Sequence, residues 1–314
     1  MNLRIKNIDL PVFQKANIKL CIVRADLIHP VASGNKFYKL KPTINYAKAN
    51  NISRLVSFGG AFSNHIHALA LSAKDHGLQS VGIIRGESIY ANNPTLSDAH
   101  KAGMQLEFVD RATYKRRDEA EYLQQLQQRY PNAMIIPEGG SNQYAVKGCI
   151  KLAGEINDLV QADLIVVAAG TGATAAGLAC GANNRQSVIA YAVLKDKTLN
   201  DRISNFIHNE IKSAKVKVEH ADFGGYAKLS RQLLEFIMDW LDKTGILLDP
   251  VYTGKMCMRL MQQIESNEFE QGATIAMLHS GGLQGWRGMQ QRVVTLNGQE
   301  TWDKIQAYLC RDIS

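Results

Sequence analysis

Seven short runs rich in Val, Ile, Leu and Ala alternate along this chain with longer helix-like stretches, and that alternation leaves few folds open. The runs are LVSF (55–58), SVGIIR (80–85), LEFV (106–109), AMIIP (133–137), DLIVVAA (163–169), SVIAYAVL (187–194) and TIAMLH (274–279). Several are apolar at consecutive positions, as strands must be when helices cover both faces of a parallel sheet. Helical patterns span 62–76, 113–129 and 227–243. Strand–helix–strand repetition of this kind predicts an α/β protein. At 314 residues the chain is long for one hydrophobic core and suits two lobes. No tandem repeat or low-complexity linker marks where they divide.

Composition narrows the function classes. Hydrophobic residues are 46% and charged residues 21%, ordinary for a soluble globular protein. No apolar run approaches the roughly 18 residues of a membrane helix. The opening MNLRIKNIDLPVF lacks a signal-peptide pattern, so a cytoplasmic location without membrane partners is expected. Five cysteines, Cys21, Cys149, Cys180, Cys257 and Cys310, are odd in number and lack metal-ligand spacing. They read as free, buried thiols, with no disulfide framework and no metal site. The formal net charge is +7, but it is spread out, with only short runs such as Lys115-Arg116-Arg117. That pattern fits a solvated surface with some attraction for anionic ligands, not a nucleic-acid stripe.

Glycine-rich turns directly follow three of the strands, where open α/β sheets bind ligands. The DLIVVAA strand runs into Gly170-Thr171-Gly172-Ala173-Thr174 and then a small-residue helix. Glycine lets the backbone approach a ligand closely, and a helix start offers free N–H groups and a positive dipole end. With two threonine hydroxyls this is a phosphate cradle in chemical terms, although a plain tight turn has the same composition. It is not a Walker loop, since no Gly-Lys-Ser/Thr follows. The LVSF strand ends in Gly59-Gly60, with Ser63-Asn64-His65 at the start of the next helix. These polar residues suit either a ligand crevice or a helix cap. His65 and His67 lie two apart on a helix, poor geometry for one metal ion. MLHSGG puts Ser280 at a strand end, and LLDPVYTGK sets Tyr252 before Thr253-Gly254. Lys36 follows a Ser33-Gly34-Asn35 turn and precedes Phe37-Tyr38. A partly desolvated lysine at a helix start has a lowered pKa and forms Schiff bases readily. In isolation it would read as a surface lysine.

Together the motifs SGNKxxKL, FGGAxSNH, GIIRGE, NPTL, IPEGG, GTGAT, DPVYTGK and HSGG, in this order from about residue 23 to 282, resemble the 1-aminocyclopropane-1-carboxylate (ACC) deaminase/D-cysteine desulfhydrase family. These are pyridoxal 5′-phosphate (PLP) enzymes with the tryptophan synthase β-like fold, fold type II, built on open twisted sheets in two domains. The resemblance implies a small α/β domain, residues 50–141, inserted into a large PLP-binding domain of residues 1–49 and 142–314. It also implies a homodimer. Lys36 matches the lysine that holds PLP as a Schiff base and abstracts the α proton. Ser63 matches a serine near the substrate carboxylate and amine, and Asn64 an asparagine on the cofactor O3′. Gly170, Thr171, Gly172, Ala173 and Thr174 match the phosphate cup, and Lys39 a second lysine near the phosphate. Tyr252 matches a tyrosine beside the cofactor ring, and Tyr226, after Phe223-Gly224-Gly225, a second active-site tyrosine.

Two positions discriminate within the family. Deaminases carry an acid after the DPVY tyrosine and an apolar residue before the final Gly-Gly, whereas desulfhydrases carry hydroxyls at both. Thr253 and Ser280 therefore place this chain with the desulfhydrases, as cofactor contacts. An acid at the pyridine nitrogen deepens the electron sink, which opening a cyclopropane ring needs more than expelling a thiolate does. The implied reaction is α,β-elimination on a small amino acid, D-cysteine first, yielding pyruvate, ammonia and sulfide. ACC deamination and elimination from D-serine-like or sulfonated substrates are the alternatives. Tyr38 and His67 stand where many relatives have arginine, which bears on the substrate. A nucleotide-dependent dehydrogenase built on Gly170, Gly172 and Ala175 would leave Lys36 and Ser63-Asn64 unexplained. A non-catalytic PLP carrier or basic binding protein would show no turnover.

Overall fold

A computed structural model describes residues 2–29, 34–208, 210 and 212–311. Ser33 of the turn before Lys36 lies outside them. The described strands are β1 (Ile5–Ile8), β2 (Lys19–Val23), β3 (Arg54–Gly60), β4 (Gln79–Arg85), β5 (Gln105–Val109), β6 (Ala133–Ile136), β7 (Leu164–Ala169), β8 (Ser187–Ala192), β9 (Lys215–His220) and β10 (Thr274–Leu278). They form a six-stranded sheet in the order β1-β2-β10-β7-β8-β9 and a four-stranded sheet in the order β5-β4-β3-β6. All neighbours are parallel except β1 and β2, which pair antiparallel. The four-stranded sheet uses only residues 54–136.

The central strands are apolar throughout because each face meets its own core. On β7, Val166 and Ala168 pack with Ile237 and Trp286, while Ile165, Val167 and Ala169 pack with Ala153 and Leu178. On β3, Leu55 packs with Leu69 and Ile136 on one face, and Val56 and Phe58 with Tyr114 and Leu126 on the other. The chain is thus an α/β protein with two sheets, each sandwiched between apolar layers.

Three strands escape the apolar-run criterion. β1 and β9 are edge strands with half-exposed, alternating residues, and β2 is a brief KLCIV run. The helix expected over 113–129 is also broken. It divides into Arg111–Lys115, a 3₁₀ turn Arg116–Asp118, and Ala120–Arg129. At the break, Arg117 turns back over the Tyr114 ring at 5.1 Å and its Nε lies 2.9 Å from Glu138 Oε2. Long-range charge pairing therefore overrides local periodicity. Of the cysteines, Cys21, Cys149, Cys180 and Cys257 are buried and Cys310 is exposed, all as free thiols.

Three helices, Asn35–Ala49, Gln143–Leu159 and Ala173–Gly181, pack through glycines. Pro42, inside the first, has no N–H to offer the Tyr38 carbonyl four residues back. That carbonyl faces Gly148 so closely that a Cβ there would stand 1.9 Å from the oxygen. A Cβ on Gly177 would likewise meet Cys149 Cβ at 2.4 Å. This contact chain sets the Lys36 helix against the helix that follows the GTGAT turn.

Gly148→Ala should therefore cost about 2 kcal/mol by overpacking a site with no free volume. Gly154→Ala, on the same helix with nothing within 4 Å, should instead stabilise, by about 0.5–1 kcal/mol through helix propensity. Urea unfolding of both variants measures this, and equal effects would contradict the packing account.

Candidate active site

Strand order dictates where a ligand can sit. In the four-stranded sheet the chain runs β3-β4-β5 to one side and places β6 on the other. In the six-stranded sheet it runs β7-β8-β9 to one side, with β10 and β2 on the other. Each reversal opens a crevice at the carboxyl ends of the strands. The FGGAFSNH turn leaves β3, the GTGAT turn leaves β7 and the HSGG turn leaves β10. The two crevices face each other across a cavity of about 510 Å³ lined by Gly60, Ser63, Asn64, Gly170, Thr171 and Ser280 among others.

Four helices begin at this cavity, with Asn35, Asn64, Ala173 and Thr253 as their first residues. Their N-terminal dipole ends add positive potential at one place. Gly172, at φ +91°, turns the chain into the Ala173–Gly181 helix, whose first N–H groups have no intrahelical acceptor. A Cβ on Gly172 would not enter the cavity. It would meet Ile203 Cγ1 at 3.0 Å and Leu199 Cδ1 at 3.4 Å behind the turn. A bulky residue there would act through backbone strain and packing, not by filling the cup as the sequence alone suggests.

Lys36 and Lys39 stand one helical turn apart on the cavity wall. Burial lowers the Lys36 amine to about 8, against smaller opposing effects of Cys149 and Asp249. Lys39 is 2% exposed; burial, and then repulsion by Lys36, hold its pKa well below the ordinary value. Its Nζ donates to Gly139 O at 2.6 Å and Ser141 Oγ at 3.1 Å, and Ser141 Oγ bonds Thr171 Oγ1. With Lys39 donating first, Ser141 donates to Thr171, and the Thr171 proton is left for an anion in the cup. Asn35 Nδ2 donates to Thr174 Oγ1 at 2.9 Å, tying two of the helix starts together. Gly34, at φ +70°, lets the Lys36 helix rest on the β10 turn. A Cβ there would stand 1.8 Å from Ser280 O.

Across the cavity, Ser63 Oγ caps its helix by accepting from Ile66 N at 3.3 Å. Gln284 Nε2 donates to Asn64 Oδ1 at 2.7 Å, which fixes the amide and leaves Nδ2 as the donor. Glycine at 282 preserves that space, since a Cβ would come within 2.6 Å of Asn64 Nδ2. Ser57 Oγ donates to Ile136 O at 2.8 Å, so at 2.8 Å from His65 Nε2 it accepts the ring N–H. The His65 Nδ1 lone pair is then buried, with no donor reaching it among the described residues. Burial, with Lys36 and Lys39 nearby, holds His65 neutral. Fixed donors, two lysines with lowered pKa and a glycine-lined cradle at helix starts form a site that fits a phosphorylated aldehyde cofactor.

The residues given a catalytic or cofactor role from the sequence line this cavity, except Ala173 and Thr253. Ala173 is the buried first residue of its helix. Thr253 is fully buried, and its hydroxyl donates to Asp249 Oδ2 at 2.6 Å and accepts from Asp249 N at 2.9 Å. The same carboxylate accepts from the N–H groups of Val251, Tyr252 and Thr253, so Thr253 completes a helix-start turn rather than the cavity wall. Tyr252 and Tyr226 both line the cavity, and burial, with the neighbouring Tyr226, raises the Tyr252 phenol well above its ordinary range. The Tyr226 loop hangs from Lys255, a fully buried residue whose Nζ donates to Asp222 O at 2.7 Å and Gly225 O at 2.5 Å. Tyr38 points away from the cavity and donates to Glu155. His67 lines it, tied to Asp98 Oδ2 at 3.2 Å.

The sequence assigned no role to Arg85, Arg117, Glu138, Arg202 or Gln284, which also line the cavity. Arg85 lies in GIIRGE and Glu138 in IPEGG, so motif membership was their one signal. Arg202 ion-pairs with Asp196 and donates to Gly170 O at 3.1 Å, bracing the cup from a separate helix.

Comparison with known proteins agrees with this geometry. The family described as "Pyridoxal-phosphate dependent enzyme" matches residues 6–281. The chain is 28% identical over 315 residues to the bifunctional D-cysteine desulfhydrase/1-aminocyclopropane-1-carboxylate deaminase of Arabidopsis thaliana, covering 91% of this chain and 77% of that one. It is 28% identical over 290 residues to the D-cysteine desulfhydrase of Klebsiella pneumoniae, covering 84% and 87%. The solved structure of an ACC deaminase homologue superposes with a TM-score of 0.83 at 25% identity, covering 94% of each chain.

The lowered Lys36 pKa has a direct readout. A lysine amine is neutral above its pKa, so Lys36 is mostly free base above pH 8, where surface lysines at about 10.4 are still charged. In cofactor-free protein, acetic anhydride at pH 8 should modify Lys36 ahead of the exposed lysines, with a rate midpoint near 8. Peptide mass mapping across pH measures this, and a midpoint above 10 would contradict the burial argument.

Proposed function

The chain belongs to the pyridoxal-phosphate dependent enzyme family, and on that premise we propose that it is a lyase releasing pyruvate, ammonia and sulfide from D-cysteine. The class is lyase rather than hydrolase, because the bonds broken are Cα–H and Cβ–S and water enters only afterwards. When bound, PLP draws electrons away from the Cα of an amino acid attached to it. The chain supplies the rest. Lys36 would hold the cofactor and, with an amine pKa lowered by burial to about 8, would take the α proton. The Gly170–Thr174 turn would hold the phosphate, with Lys39 behind it. Asn64 Nδ2 would donate to the ring oxygen, and Ser63 would meet the substrate carboxylate at its helix start. Tyr252 and Tyr226 would serve the reacting face, and Ser280 would be the partner of the ring nitrogen. Thr253 acts through Asp249 by fixing the turn that carries Tyr252.

The observation carrying this reading is the absence of a free carboxylate on the wall that holds Ser280. Among the described lining residues the carboxylates are Glu138 and Asp196. Glu138 is paired with Arg117 and Asp196 with Arg202. A serine hydroxyl cannot keep the ring protonated as an acid does, and expelling a thiolate tolerates this better than opening a cyclopropane. The second reading, ACC deamination, is favoured by the names of several relatives and is decided by the same assay. The division into residues 50–141 and the remainder belongs to this proposal and is supported by the four-stranded sheet lying wholly within residues 54–136. The homodimer rests on the family resemblance and the cytoplasmic location on the sequence.

Borohydride reduction of the yellow holoenzyme should fix the cofactor on Lys36, read by peptide mapping, and label on another lysine would sink the assignment. In a pyruvate- and ketobutyrate-release assay, kcat/KM for D-cysteine should exceed that for ACC by a hundredfold, the effect of about 3 kcal/mol in the barrier. Equal rates would overturn the reading of Ser280 and leave the Lys36 assignment standing.

A further inference from the structure

The mouth of the cavity carries cations that elimination chemistry leaves unused. Arg85 ends β4 and lines the cavity. Its guanidinium lies 5.5 Å from the centre of the Tyr114 ring, and that of Arg117 lies 5.1 Å from the same centre. Two like charges held on one buried ring repel and call for counter-charge. Glu138 supplies one, 2.9 Å from Arg117 Nε and accepting from the Tyr114 hydroxyl at 2.7 Å. Among the described residues no carboxylate pairs with Arg85, whose exposed guanidinium is open to an anion entering from solvent.

That charge faces the substrate side. A Cβ on Gly60 would stand 3.5 Å from Arg85 Nη2. Gly60 O in turn accepts from Ser63 N at 3.0 Å, which puts the guanidinium beside the Ser63 turn. The field of Arg85 also reaches the Tyr226 phenol. Opposite, Lys195 lines the cavity next to the Tyr226 loop, with Cε 4.0 Å from the place of a Gly225 Cβ. No carboxylate pairs with Lys195 among the described residues. Cations from both sheets thus meet at the mouth, beyond the reacting atoms.

We propose that, beyond D-cysteine, the site takes amino acids whose β-substituent ends in an anion, a carboxylate or sulfonate, held by Arg85 with Lys195 opposite. The inference rests on the elimination reading and adds to its substrate class. The step balances without a further reactant. The α proton passes to Lys36, the Cα–Cβ double bond forms, and the β-substituent leaves with the Cβ bonding pair and its distal charge.

Binding and turnover test separate parts of this. α-Methylaspartate and α-methylserine lack an α proton, so their effect on the holoenzyme visible spectrum reports binding alone. The anionic analogue should bind at least about tenfold more tightly, the worth of one charge-assisted hydrogen bond. Arg85→Gln should bring the ratio near one, and Arg85→Lys should restore part of it. Equal affinities in the unmodified protein, or a ratio indifferent to Arg85→Gln, overturn the anion site. Pyruvate release from S-carboxymethylcysteine and cysteate, as both enantiomers, is measured beside D-cysteine. Release of pyruvate from none of them would overturn the elimination reading, while the binding ratio still decides the anion site.

Discussion

Four helix starts and two buried lysines share one cavity, and like charge in a confined space is the constraint to which the rest of the site answers. Lys36, Lys39 and His65 are each held toward their neutral forms by burial, and for Lys39 and His65 by repulsion from neighbouring lysines as well. Crowding of this kind costs free energy in the empty protein and is relieved by a dianion. A phosphate in the cup therefore stabilises the fold in proportion to how tightly it binds. Burial also brings the Lys36 amine down to about 8, so that far more of it than of a surface lysine is the free amine that acts as nucleophile and base.

What could be read in the sequence follows from range. The apolar runs of β3, β7 and β10 and the glycines after them are local, and they foretold both crevices. Lys36, Ser63, Asn64 and Ser280 could be named because each stands beside such a turn. The roles of Lys255 and Arg202 could not be read. Each acts on a loop about 30 residues away in the chain, through backbone carbonyls that carry no side-chain signature. Thr253 shows the converse. The family pattern after the DPVY tyrosine suggested a cofactor contact, but Asp249, four residues back, takes its hydroxyl. The broken helix near Arg116 has the same origin, since Glu138 lies beyond any local window.

The two sheets share one helix, since Asn35–Ala49 buries Leu40, Ile44 and Ala47 in the core of the four-stranded sheet and Tyr38 in a core of the six-stranded one, while the ties on the Ser63 side of the cleft are mostly polar. Gln284 holds Asn64, and Arg287 and His67 share Asp98. Phe62 lies against Gly288, where a Cβ would stand 2.8 Å from its ring. Such ties exchange readily with water, whereas the glycine contacts among the Lys36 and cup helices do not. The cofactor side of the cavity is therefore the stiffer wall and the Ser63 side the one free to shift.

That asymmetry bears on how such a protein diversifies. The support beneath the cavity is shaped by backbone, with Gly34 against Ser280 O and, behind the Lys36 helix, Gly148 against Tyr38 O, where almost any side chain would collide. The rim carries the long, exposed side chains of Arg85 and Lys195, which can be exchanged without disturbing that support. Inheritance can thus retain the chemistry while sampling new leaving groups one rim residue at a time, so lineages sharing this support are free to diverge in diet before they diverge in reaction.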